Sequence, residues 1–269
     1  MSSHYDEFFF FGDTLIAETR EVILGLWNRG NIASSIKDDD TPVSEVDLQC
    51  EELVRDRIRS RFPAHGVIGE EHGEDSPNSE FVWTIDPIDG TQNLVNRIPT
   101  FGTILSLLHN GTPVLGWIDH PVLGDLLRGG PGIGVTKNGV PVTVKDLQTP
   151  HLTANDIVGT NCPATFARGG HEGVLATILA YHPHIRMYYD VYSHSLTITG
   201  SLAAMVEYNL KIWDLAATKA LIEGAGGTYL EIGADDSPGK PRAYHAVFGK
   251  GRAVNLLVGA ISGVPEGCI

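Results

Sequence analysis

Basic residues are scarce in this sequence: 19 Lys+Arg stand against 33 Asp+Glu, for a formal net charge of −14. Nucleic acid and anionic membrane surfaces both need basic patches, so neither is the expected partner; a cationic ligand or a metal ion is. Cysteine is scarcer still. Cys50, Cys162 and Cys268 are scattered, odd in number and without metal-ligand spacing, which argues against a disulfide framework and fits a reducing cytoplasm. Long apolar runs are missing too: Phe8 to Phe11 is far too short to span a bilayer, and the acids around it stand where a signal peptide needs bases. The eleven histidines show no HxxxH or HExxH spacing, so zinc chemistry is not expected. No G-x-S-x-G elbow is present, which excludes serine-nucleophile hydrolysis of that type.

What is present is enough chain for one large domain or two modest ones, with a substantial core: 269 residues, 42% hydrophobic. Phe8, Phe11, Leu15, Val22 and Leu26 recur on roughly one face and predict an N-terminal amphipathic helix. A second helix is predicted from Ser44 to Arg61, with Ser44 as N-cap, Asp47 as third helical residue and Pro63 closing it. "HGVIGEEHGED" reads as a short strand ending in an exposed acidic loop, and "EFVWTI" as a buried strand that stops at Asp86. From Gly102 to Val144, short apolar runs separated by "HNGT", "PVLGD" and "KNGV" predict an antiparallel meander. The Gly-rich "RGGPGIG" lacks a P-loop lysine and reads as a turn between strands. After residue 151, segments from "DIVGTN" through "HEGVLATILAYH", "IRMYYDV", "SLTITGSLAAMVEY" and "WDLAATKALIEGAGG" to "AVNLLVGAI" predict alternating strands and helices packed on a sheet. Two subdomains, 1–148 and 149–269, are expected to form one continuous catalytic unit.

The chemistry concentrates in "EFVWTIDPIDGTQNLVNRIP". If Ile85 ends a strand and Gly90 begins a helix, Asp86 and Asp89 lie at the strand's carboxyl end, the usual ligand side of an α/β sheet. Gly90 and Thr91 then offer backbone N–H groups and the positive end of a helix dipole beside them. Carboxylates for a hard cation stand next to amides for an anion, which describes a metal-assisted phosphate site. Glu70 and Glu71 in "GEEHGE", and Asp214 at the start of the helix that Gly224 to Gly227 ends, are the acids that could complete it. All-oxygen ligands favour Mg²⁺ over zinc or copper. Each residue also has an ordinary use: Asp214 as an N-cap, Asp47 as a first-turn acid, Glu70 and Glu71 in a solvated loop, Asp86-Pro87 as a plain turn.

"GEE", "WTIDPIDGTQN" and "WDLAATKALIEGAGG", in this order and at these separations, closely resemble the inositol monophosphatase family of Mg²⁺-dependent phosphatases. The resemblance runs from "KDDDTPVSEVD" to "GAGG" and implies an α/β (α+β layered) fold, the five-layer αβαβα sandwich. It further implies that Glu70, Asp86 and the Ile88 carbonyl hold one Mg²⁺, that Asp86, Asp89 and Asp214 hold a second, and that a third, weaker ion sits near Glu70. Thr91, hydrogen-bonded to Asp47, would orient the attacking water, and the Gly90 and Thr91 amides would hold the phosphoryl oxygens. Metal ligands are thus expected mostly in residues 1–148, with Asp214 and the substrate selectors in 149–269. Members of the family are commonly dimers, so a cytoplasmic homodimer is expected. Leu94 and Thr218 depart from the usual Phe and Gly, at positions that are not ligands.

The resemblance also implies that substrate choice rests on the residues facing the leaving group, here Asp89, Asp190 and Glu207. "TPVSEVD", "YYDVY" and "NLKIWD" are most similar to the histidinol-phosphate phosphatase-like members, with Tyr189 in place of their glycine and Ile212 in place of their proline. Histidinol phosphate carries a cationic amine and a readily protonated imidazole, which Asp190 and Glu207 suit as charge-assisted partners. Inositol 1-phosphate is the second substrate, served by hydrogen bonds to Glu207, and other small phosphate esters come third. Asp190 could also be a plain strand-end cap. A noncatalytic Mg²⁺-binding relative would normally lack a ligand or the water-orienting pair; here all of them are present.

Overall fold

The computed structural model describes residues 5–30, 32–36 and 42–263. Helix α1 (Asp6–Arg29) buries Leu15, Ile16, Ile23 and Leu26, while Phe8, Phe11 and Val22 of the predicted face are half-buried. A small antiparallel hairpin, β1 (Ser34–Ile36) and β2 (Pro42–Ser44), leads into α2 (Glu45–Arg61). That helix starts as its sequence dictates: Ser44 Oγ accepts the Val46 N–H, and the Asp47 carboxylate accepts the Ser44 N–H at 2.9 Å.

The next segment forms one sheet. Its strands are β3 (Gly66–Gly69), β4 (Gly73–Asp75), β5 (Phe81–Asp89), β6 (Gly102–His109), β7 (Thr112–His120), β8 (Asp125–Gly130), β9 (Gly134–Lys137) and β10 (Val140–Val142), with the short α3 (Thr91–Val95) after β5. Their order is β10-β9-β8-β7-β6-β5-β3-β4, so β6 to β10 form the expected meander with β5 antiparallel beside it, and "PGI" is the turn between β8 and β9. Strand β5 does not stop at Asp86. It runs on to Asp89, and the acidic loop after β3 returns as β4.

The second sheet has the order β12-β11-β13-β15-β14, from β11 (Val158–Thr160), β12 (Ile185–Arg186), β13 (Ala204–Leu210), β14 (Thr228–Asp235) and β15 (Ala243–Gly249). Helices α4 (Pro163–Arg168), α5 (Glu172–Tyr181), α6 (Asp190–Ile198), α7 (Ile212–Gly224) and α8 (Gly251–Ser262) complete it. Two expectations change here. The strand in "IRMYYDV" is only two residues long, so Asp190 opens a helix instead of ending a strand, and "SLTITGSLAAMVEY" divides between α6 and β13.

Three cores define five layers. Leu15, Ile16, Val54 and Ile58 of α1 and α2 pack on Trp83, Leu105 and Trp117 of the first sheet. Val191, Ile198, Leu215 and Leu221 of α6 and α7 fill the space between Ile104 and Ile118 on one sheet and Met205 and Phe248 on the other. Ile178, Val254 and Leu257 of α5 and α8 cover the far face at Val158, Val206 and Val247. This is the αβαβα sandwich. Helix α7 presents Ala216, Ala217 and Ala220, all buried, and an added Cβ on Gly116 of β7 would lie 2.7 Å from the Ala217 carbonyl. That close approach of helix to sheet brings Asp214 beside the end of β5. Among the described residues, no helix is long and apolar enough to cross a membrane.

Candidate active site

The end of β5 carries an irregularity that the chemistry needs. Asp86 pairs with Ile104 and Asp89 with Gly102, so three steps on β5 face two on β6. In a regular strand, residues three apart point to opposite faces; one extra residue restores them to the same side. Thr103 Oγ1 pins the bulge by donating to the Pro87 carbonyl at 2.8 Å. Gly90 follows with φ +92, an αL conformation that suits glycine, and turns the chain into α3.

Around this turn the acids gather. Asp86 is buried, and its Oδ1 has no hydrogen-bond partner. Burial, then the charges of Glu70, Asp89, Asp214 and Asp47, hold its carboxyl well above the usual carboxylate range. Asp89 is raised likewise, by burial and then by Asp190 and Asp214, although it accepts the Val191 N–H. Asp214, third residue of α7, accepts the Lys211 N–H at 2.7 Å and is pushed up to about 8 by burial and Glu70. Glu70 follows β3 directly, its N–H bonded to the Ile85 carbonyl at 3.3 Å, which ties it to the strand bearing Asp86. Asp86, Asp89 and Asp214, each raised by burial and by neighbouring acids that include Glu70, form a site for positive charge, and the orphaned Asp86 oxygen is an acceptor awaiting one. The donor set is all oxygen, so a hard divalent ion fits.

No three of these acids bring ligand oxygens mutually within 4.8 Å; among the described residues only His171, Asp235 and His245 do. Three oxygens held at ~2.1 Å by one hard divalent ion lie within ~4.2 Å of one another, so these acids stand wider apart than a closed site and would have to draw together onto an ion. The histidine group is a hydrogen-bonded cluster instead. His245 Nδ1 accepts the Asn209 N–H at 3.1 Å, which leaves the proton of a neutral ring on Nε2, facing Asp235 Oδ2 at 3.1 Å, where a metal would need a lone pair.

The remaining predicted residues fall around the acids. Thr91 Oγ1 stands 3.0 Å from Asp47 Oδ1 and 3.1 Å from the Ile88 carbonyl, and burial raises the Asp47 carboxyl. The Gly90 and Thr91 amides belong to the first turn of α3, where helix N–H groups have no intrahelical acceptor. Asp190 Oδ2 accepts from Asn93 Nδ2 at 2.9 Å and its carboxyl is raised to about 6 by burial, then by Glu207. Tyr189 and Asp190 have φ of 59 and 52, sparsely populated values for such residues and a sign of local strain at the start of α6. Glu207 is buried on β13, with Oε1 3.3 Å from His194 Nε2, the Asn161 side chain beside the carboxylate, and Oε2 lacking a partner within hydrogen-bond distance.

Sequence reasoning missed Glu51. It is fully buried, takes the Arg55 Nε–H at 2.8 Å, and accepts the Glu71 and His72 N–H groups at 2.8 and 3.1 Å, seating the turn that carries Glu70. Its signal was faint: one acid four residues after Asp47 and four before Arg55, which reads as a solvated helix face.

The model describing the Inositol monophosphatase family matches residues 4–257. A histidinol-phosphatase from Chlorobaculum parvum is 32% identical over 222 residues, covering 79% of this chain and 81% of its own. ImpA, a probable inositol 1-monophosphatase from Mycobacterium tuberculosis, is 30% identical over 231 residues, covering 83% of each chain. The solved structure of an inositol monophosphatase from Zymomonas mobilis matches with a TM-score of 0.80 at 23% identity, over 97% of this chain and 100% of that one, and shares the fold.

Proposed function

Because the chain belongs to the inositol monophosphatase family, we propose that it is a Mg²⁺-dependent phosphatase of small phosphate monoesters, with L-histidinol phosphate as its substrate. The observation that carries the first half is Asp86, a buried carboxylate with an unpartnered oxygen among the charges of Glu70, Asp89, Asp214 and Asp47.

In this reading Glu70, Asp86 and the Ile88 carbonyl hold one ion, Asp86, Asp89 and Asp214 a second, and Glu70 borders a third. Bound divalent ions supply charge neutralisation of the ester and its leaving oxygen, and a lowered pKa for the attacking water. The chain's own groups do the rest. The amides that hold Asp89 and Asp214 each occupy one carboxylate oxygen and fix the direction of the other. Thr91 donates its hydroxyl proton to Asp47 Oδ1, so a lone pair of Thr91 remains to accept a proton from water and orient its oxygen. Burial raises the proton affinity of Asp47, which suits the terminus of that relay. The Gly90 and Thr91 N–H groups receive the phosphoryl oxygens.

The leaving group then meets Asp190 and Glu207. Two partly or fully buried acids favour a cationic leaving group such as histidinol, and a relative named histidinol-phosphatase supports that choice. The inositol reading is favoured by one feature, the unpartnered Glu207 Oε2, which accepts a hydroxyl equally well. Phosphate release with Mg²⁺, comparing L-histidinol phosphate and inositol 1-phosphate, decides between them. We expect kcat/KM to favour histidinol phosphate by about a hundredfold, or ~2.7 kcal/mol in the transition state; the opposite preference would leave the metal site standing and transfer the substrate assignment to inositol phosphate.

A further inference from the structure

We propose that His194 and Thr218 form a positioning pair that aims Glu207 at the leaving group, so that ester selection depends on two residues that touch no substrate. The inference rests on the phosphatase reading and adds to it the means by which the selector is held.

His194 lies one turn beyond Asp190 on α6 and is buried. Its Nε2 is 3.3 Å from Glu207 Oε1, and its Nδ1 is 2.7 Å from Thr218 Oγ1. A carboxylate has no proton to give, so Nε2 is the donor. In a neutral ring Nδ1 then carries the lone pair and the Thr218 hydroxyl donates to it; in a protonated ring Thr218 accepts instead. Either way the Nε2–H faces Glu207. Phe248 packs edge-on against the imidazole, with centroids 5.2 Å apart at 75°, and restrains its rotation.

The consequence is for the other carboxylate oxygen. With Oε1 engaged by His194 and the Asn161 side chain beside the carboxylate, the buried Oε2, which has no partner within hydrogen-bond distance, is left to receive a donor. Three elements converge to set this one side chain: α6 through His194, β13 through Glu207 and α7 through Thr218. A glycine at position 218, the residue expected from the family resemblance, could supply no hydroxyl.

The test separates positioning from structure. His194→Phe is expected to raise KM for L-histidinol phosphate about tenfold while kcat changes less than about threefold, and to alter KM for p-nitrophenyl phosphate, whose leaving group offers no donor, less than about twofold. His194→Gln, which retains an amide N–H toward Glu207, should recover much of the loss. Thr218→Val should show a smaller version of the same split, restored by Thr218→Ser. Equal losses on both esters, or an unchanged KM for histidinol phosphate, would overturn the proposal. Should the wild-type enzyme prefer inositol 1-phosphate, the substrate reading fails and the same split is expected with that hydroxyl-bearing ester. ¹⁵N NMR reads the pair without turnover: His194 Nε2 carries its proton near neutral pH and its resonance moves in Glu207→Gln. A ring protonated only on Nδ1 would overturn the pair whatever the substrate.

Discussion

The Thr91 hydroxyl meets Asp47 Oδ1 at 3.0 Å across 44 positions of chain, joining the turn after β5 to the first turn of α2. Asp47 cannot swing away, because its other oxygen is engaged by the Ser44 N–H and hydroxyl. The helix cap therefore orients the pair assigned to the water. Thr91→Val removes the hydroxyl at nearly constant volume and should lower kcat by ~10²–10³, while Thr91→Ser keeps most activity. Steady-state kinetics with matched melting curves check this; a valine variant retaining more than about a tenth of wild-type kcat would count against the role.

The acids predict how metal removal and pH interact. Asp86 and Asp89 are raised well above the ordinary range, Asp214 to about 8 and Asp190 to about 6, each with burial as the first cause. A carboxyl raised on folding binds more protons in the folded state than in the unfolded one above pH ~4, so its stabilising contribution is lost as pH rises through the folded value. In chelator, the melting temperature should fall as pH increases from about 4 to 8, and Mg²⁺ should flatten that slope. Asp86→Asn should abolish turnover yet raise the melting temperature in chelator at pH 8. Differential scanning calorimetry across pH checks both, and a slope unchanged by Mg²⁺ would sink the metal assignment.

The parts of this site legible in the sequence are those fixed by local backbone rules. Ser44 and Asp47 follow a capping pattern, Asp214 sits in the first turn of its helix, and the aspartates around Pro87 punctuate a strand end. The extension of β5 to Asp89 was not legible, because a bulge depends on the partner strand as much as on its own residues. Asp190 as a helix opener was hidden by the β-favouring "IRMYY"; Asn93 at its carboxylate and His120 bonded to Ser195 at 2.8 Å fix that end through tertiary contacts. His194, Glu207 and Thr218 meet only because α6, β13 and α7 are stacked, and no spacing within any one segment announces it.

Gly90 is constrained twice over. Its φ is +92, and a Cβ placed on it would lie 2.8 Å from Asp190 Oδ2. Gly90→Ala should cost about 1–2 kcal/mol in backbone strain and displace the Asp190 carboxylate from Asn93. The kinetic signature is a raised KM for a cationic ester together with a lowered kcat, since the same turn carries the amides proposed to bind phosphate. An alanine variant with wild-type kinetics on both esters would show that neither Asp190 nor the turn amide is used as assigned.

Glu51 sets the position of Glu70 without facing the cleft. Its carboxylate accepts two successive turn amides and the Arg55 guanidinium, and an added Cβ on Gly69 would lie 2.1 Å from Oε1, so the turn rests directly on it. Glu51→Ala would strand the buried Arg55 charge and should destabilise by about 3–5 kcal/mol, enough to obscure any effect on function. Glu51→Gln is the informative change: similar in shape, it replaces one accepting oxygen with an NH₂ that faces donors, and so loosens the turn. Mg²⁺ affinity by titration calorimetry should fall ~10–100-fold, with the Thr91 and Asp47 side of the site undisturbed. If Mg²⁺ binds Glu51→Gln as tightly as wild type, the turn does not depend on Glu51 for its position, or Glu70 does not hold the ion. Glu70→Gln measured alongside separates the two, because only the second possibility leaves that variant's Mg²⁺ affinity unchanged.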